Sequence, residues 1–93
     1  MDRKLSRKEF EEIAVITRKC IDAYSSKEVA NDLKRLNFLS STLNVDPYIR
    51  GVISELHGYA FEASKQKPHD VKDHWVKQAM WTLGKLELSH VEC

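Results

Sequence analysis

The chain has little of the residues that mark specialised classes of protein. It carries 2 cysteines, 2 prolines and 3 glycines, and its aromatic fraction is 9%. Cys20 and Cys93 stand in no CxxC or metal-type spacing, which excludes a disulfide-stapled scaffold and a zinc site of the usual kind, and suits a reducing compartment. Gly51, Gly58 and Gly84 are dispersed through helical pattern, so no glycine-rich loop exists to cradle a phosphate. No apolar run reaches the roughly 18 residues of a membrane span. Charges fall throughout the first twenty positions, so an exported leader is not expected and the protein is read as cytoplasmic. Neither sign of charge dominates: the net charge is +1, residues 1–46 hold 9 basic against 8 acidic side chains, and residues 47–93 hold 6 against 6. The one basic cluster, Arg3, Lys4, Arg7 and Lys8, is followed at once by Glu9, Glu11 and Glu12. No field therefore points to a polyanionic partner.

What is present is a chain of 93 residues, 42% hydrophobic and 31% charged, enough to bury a core without a staple. The expectation is a single helical domain over 1–93 with short flexible ends at about 1–5 and 89–93. Apolar residues recur at intervals of three and four and not of two, which gives an all-α compact four-helix bundle with helices at about 7–24, 26–43, 47–64 and 71–88. Ser6 and Glu9 form a capping box for the first helix, with Leu5 stapled onto Phe10. Its inner side is Phe10, Ile13, Ala14, Ile16, Thr17, Cys20, Ile21, Ala23 and Tyr24, and Val15 falls on the wrong side. The same signal repeats at Tyr24-Ser25-Ser26-Lys27-Glu28-Val29, so a second box is expected at Ser25, with Tyr24 on Val29. The second helix then buries Val29, Ala30, Leu33, Leu36, Leu39 and Leu43 and leaves Phe38 outside. Asp46-Pro47 reads as a cap and a first-turn proline. The third helix buries Ile49, Val52, Ile53, Leu56, Ala60 and Ala63. A loop containing Pro68 precedes Asp70, which reads as the cap of the fourth helix, and Val71, Trp75, Val76, Ala79, Leu83 and Leu86 form that helix's core stripe.

Catalytic chemistry finds little footing. His69, Asp70, Asp73 and His74 are the densest polar cluster, but histidines five apart do not share a helix face as two metal ligands must. Cys20 lies on a buried stripe, where a thiol acts as a small hydrophobe, and Cys93 lacks a neighbouring cation that would activate it, His90 aside. No catalytic residue, metal or cofactor is expected. The stretch from Leu39 to Pro47 looks like the turn of a helix-turn-helix, with Asn44 where a turn glycine usually stands. Its apolar phase breaks at Arg50, and Tyr48, Arg50, Ser54 and Glu55 offer one cation and one acid where phosphate and base contacts are wanted. A DNA-binding regulator using helices 2 and 3 is thus the alternative function, with nucleic acid an unfavoured partner.

The informative positions are the large apolar residues that no core stripe uses. Met80, Trp81 and Leu88 cluster with Gly84 on a second face of the fourth helix, where a self-sufficient bundle should be polar. On the third helix Gly51, Ser54 and Gly58 lie near one line, with Phe61 at its end. Two helical glycines seven apart imply a close approach, either a tight crossing inside the bundle or an interface. The expected function is a small non-catalytic protein-binding module, an inhibitor or immunity-type or regulatory adaptor protein that covers a partner protein's surface. Its binding residues are Phe61, Trp81, Met80, Leu88, Gly51 and Gly58. A heterologous protein is the favoured partner over a homodimer, and no membrane is involved.

Overall fold

The computed structural model describes residues 3–65 and 67–92. Along them run α1 (Arg7–Asp22), a 3-10 turn (Ser26–Val29), α2 (Ala30–Thr42), α3 (Pro47–Ser64) and α4 (His69–His90). The fold is the all-α compact globule of four helices that the periodicity implies. α3 is the central element: it packs on α1, α2 and α4, whereas α2 and α4 do not touch. The reason lies in its composition, since Ile49, Val52, Ile53, Leu56, Ala60 and Ala63 all reach the core. They are joined there by Phe10, Ile13 and Ile16 of α1, Leu33, Leu36 and Leu39 of α2, and Ala79, Leu83 and Leu86 of α4.

The first capping box forms as the sequence implies. The Glu9 amide donates to Ser6 Oγ at 3.1 Å and the Ser6 amide donates to Glu9 Oε1 at 2.8 Å. Arg3 adds a bidentate pair to the same carboxylate, both nitrogens at 2.9 Å. The Arg3 hydrogen bond, aided by the Ser6 amide, outweighs partial burial and holds the Glu9 carboxyl at about 2. A carboxyl depressed in the folded state contributes stability above its unfolded value near 4.5 and loses it as pH falls toward 2. Glu9→Gln is expected to flatten that acid limb of a urea-denaturation series and to cost about 1 kcal/mol at neutral pH, the pair being partly screened by solvent.

The second box does not form. The Ser25 side chain accepts no capping bond, Tyr24 points to solvent, and Ser26–Val29 winds as a 3-10 turn before α2 begins at Ala30. α1 ends at Asp22, so Ala23 and Val29 fill the corner that the sequence assigns to Tyr24. Two small apolar residues close this tight corner, and a phenol need not be buried. Ala30 is exposed and Leu43 half-buried. The end of α1 is instead held from a distance, because Lys72 Nζ donates to the Ala23 carbonyl at 2.7 Å. A cation on the carbonyl end of a helix satisfies an orphan acceptor and the dipole together. Lys72→Met is expected to lower stability by about 1–2 kcal/mol, read as a lower melting temperature.

α4 also departs from expectation at both ends. It starts at His69 after Pro68, with Asp70 inside the first turn and no side-chain cap. Val71 is 41% exposed, and Trp75 and Val76 are half-buried. Burial is centred on Ala79, Thr82, Leu83 and Leu86, and Val71 lies about 70° from that line at 100° per residue. At the other end Ser89 and His90 continue the helix, and Val91 pairs with Leu5 in an isolated parallel bridge. The Leu5 amide donates to the His90 carbonyl and the Glu92 amide donates to the Leu5 carbonyl, each at 2.8 Å. Leu5 and Val91 are both buried, so positions assigned to flexible ends close the core. The Asp46 amide donates to the Arg3 carbonyl at 3.1 Å, which ties the same strap to the link before α3. Val45 in that link is buried as well, and Asp46 caps α3 through the Tyr48 amide at 2.9 Å. Met1, Asp2, Gln66 and Cys93 lie outside the described residues, and with them the reading of Cys93 as an inert thiol.

Candidate protein-docking face

Trp81, Met80 and Leu88 come together on the side of α4 turned away from α3. Trp81 is 71% exposed, Leu88 88% and Met80 44%. With Gly84, Lys85 and Ser89 they line a shallow, largely apolar groove of about 280 Å³. The groove exists because Gly84 has no side chain between Met80, Trp81 and Leu88, its neighbours at three and four residues along the helix. Apart from its chain neighbours and the helix's own backbone, no atom lies within 4 Å of the place a Cβ at Gly84 would take. Trp75, by contrast, sits at the inner margin, its ring 6.2 Å from that of Tyr59 and 5.0 Å from that of His74. The two tryptophans of α4 thus lie about 120° apart around the helix, one helping to seat it and the other offered to solvent.

Phe61 does not join this face. It lies in a different groove, between α2 and α3, where His57 stacks on it at 6.5 Å and the Lys65 ammonium sits 4.2 Å above its ring. Gly51 and Gly58 lie on the exposed side of α3, and nothing stands within 4 Å of a Cβ built at either. A tight crossing inside the bundle is therefore excluded among the described residues, and the glycines mark an open strip of helix. Both adopt ordinary helical backbone. Gly51→Ala and Gly58→Ala are each expected to raise stability by about 0.5–1 kcal/mol in urea denaturation. A loss of stability would show that the strip is more crowded than its geometry.

No family model, curated protein or solved structure matches the chain. Its chemistry must be read from the side chains alone. The Cys20 thiol is fully buried, and burial, with the nearby Asp32 carboxylate, pushes it up to about 11, so it stays protonated. His57 is pushed down, also by burial. His69, Asp70, Asp73 and His74 are all exposed, Asp73 pairs with Lys77 at 3.1 Å, and no three metal-ligating side chains converge among the described residues. No helix among those residues is long and apolar enough to cross a membrane. Two further aromatic rings are exposed. Tyr24 is left outside at the α1 corner, and Tyr48 stands at the start of α3 with its ring 5.4 Å from His90. The wheel placed Tyr24 on the inner side of the first helix, but α1 ends two residues before it.

Proposed function

We propose that the protein is a non-catalytic binding module that covers the surface of a heterologous protein in the cytoplasm, as an inhibitor, immunity-type protein or regulatory adaptor does. The observation that carries this reading is the exposure of Trp81 and Leu88 beside Met80 on the outer side of α4. Leaving a tryptophan and a leucine in water forgoes about 1.5–3 kcal/mol of burial for each large side chain, and their grouping around one groove gives that surface a use. Trp81 is the anchor, a residue type over-represented among those that dominate interface energetics. Lys85 lines the groove and the Lys77–Asp73 pair stands on the same outer side of α4, a charged rim at its N-terminal end. An apolar centre with such a rim resembles a standard, separable interface more than the larger and more apolar seam of an obligate homodimer. The DNA-binding alternative gains nothing from the fold, since the exposed side of α3 presents Gly51, Ser54, Glu55 and Gly58, and its single cation, Arg50, is half-buried.

The test compares wild type with Trp81→Glu as bait in an extract of the source cells, after light scattering has fixed the mass of each. The expected result is a monomer that retains one stoichiometric protein, lost in the variant. A wild-type dimer split by the substitution would assign the face to a second copy. Equal retention by both baits would place binding elsewhere.

A further inference from the structure

The groove between α2 and α3 differs in charge from the groove between α1 and α2. Its volume is about 380 Å³, and Ala30, Leu33 and Phe61 give it an apolar floor. Lys27 and Lys34 stand on its rim, and among the described residues no aspartate or glutamate lines it. The groove between α1 and α2 shows the ordinary pattern: Glu11, Glu12 and Asp32 line it together with Lys19 and Arg35, and its charges pair across the helices at 2.7 Å and 3.8 Å. Among the described residues neither Lys27 nor Lys34 pairs with a carboxylate. At the far end the Lys65 ammonium over Phe61 adds further positive potential, partly met by Glu62 at 3.3 Å.

We infer that this groove receives an acidic amphipathic helix of a partner protein, with its carboxylates on Lys27 and Lys34 and its apolar side on Ala30, Leu33 and Phe61. The spacing selects this occupant. Lys27 in the 3-10 turn and Lys34 in α2 both line the groove with Ala30 between them, and three residues of 3-10 rise plus four of α rise separate them by roughly 12 Å. Two acids seven apart on a helix, about 10 Å, can each meet one of the lysines, with apolar residues three and four positions after the first acid. An extended peptide would bring unpaired amides and carbonyls to a surface with no sheet edge, while a helix satisfies its own. Burial of His57 keeps its imidazole neutral at pH 7, so that ring adds flat, uncharged surface to the wall. The inference concerns a surface separate from the α4 face and does not depend on it.

The experiment titrates the full chain into a fluorescein-labelled helical peptide of about four turns carrying two glutamates seven apart with leucines three and four after the first, followed by anisotropy. Micromolar binding is expected, weakened about tenfold or more by Lys27→Glu with Lys34→Glu, and weakened again when salt rises from about 50 to about 300 mM. Both lysines are exposed, so the variant should keep its helical circular dichroism. Amide shifts are expected within 26–37 and 57–61. Absence of binding at millimolar peptide, indifference to the charge reversal, or equal binding of a peptide with lysines for glutamates would overturn the inference. Shifts confined to Met80–Ser89 would overturn it too, and would assign acidic helices to the α4 face.

Discussion

Leu5→Ala is expected to lower the free energy of unfolding by about 3 kcal/mol, which for a domain of this size moves the melting temperature down by roughly 15 °C. Leu5 precedes every helix, yet it is fully buried, and its amide and carbonyl each bond the residues around Val91. Shortening it opens a cavity at the end of the core and loosens the bridge that joins the two ends of the chain. Removing Val91 to Cys93 is expected to cost about 2–3 kcal/mol by uncovering the same residue. Because the two changes strike one contact, the double variant should lose less than the sum. Full additivity in a urea-denaturation cycle would mean that Leu5 and Val91 stabilise the fold independently, against the bridge seen here.

Trp81→Glu is expected to do the opposite. With the indole largely in water, the substitution should change stability by no more than about 0.5 kcal/mol, while association with the partner falls about 100-fold, near 2.7 kcal/mol. Met80→Ala and Leu88→Ala are expected to weaken association by smaller factors and leave folding unchanged. The contrast carries the argument: a core residue changes the fold, and a docking residue changes only the complex. Loss of the cooperative melt in Trp81→Glu would show that the indole supports the bundle and that the face is misassigned.

The residues differ in how readable they were. The core faces of α1 and α3 follow from spacing, since Phe10, Ile13, Ile16, Ile49, Val52, Ile53 and Leu56 recur at helical intervals and are all buried. The exposed trio of α4 was legible for the same reason in reverse, being apolar where the wheel demands polar side chains. Val45 and Val91 were illegible because each is a lone apolar residue outside a helix, where no period exists to assign it a side, and Leu5, read as a staple on Phe10, gave no sign of its pairing with Val91. The Ser25 capping signal misled because a local hydrogen bond worth about 1 kcal/mol competes with chain geometry at a tight corner. Phe61 was grouped with Trp81 on residue type, and only the packing order, with α3 between α2 and α4, separates them into different grooves. The glycine strip on α3 left a crossing and an interface both open, because composition reports what could approach, not what does.

The most direct test places a photo-crosslinking amino acid at Leu88 in the source cells, with the same group at Val15 as the control, since Val15 is exposed on α1 away from both proposed surfaces. The expected result is an adduct with one heterologous protein from Leu88 and none from Val15. Adducts from Val15 alone, or no adduct at Leu88 at any dose, would contradict the claim that α4 is the docking face.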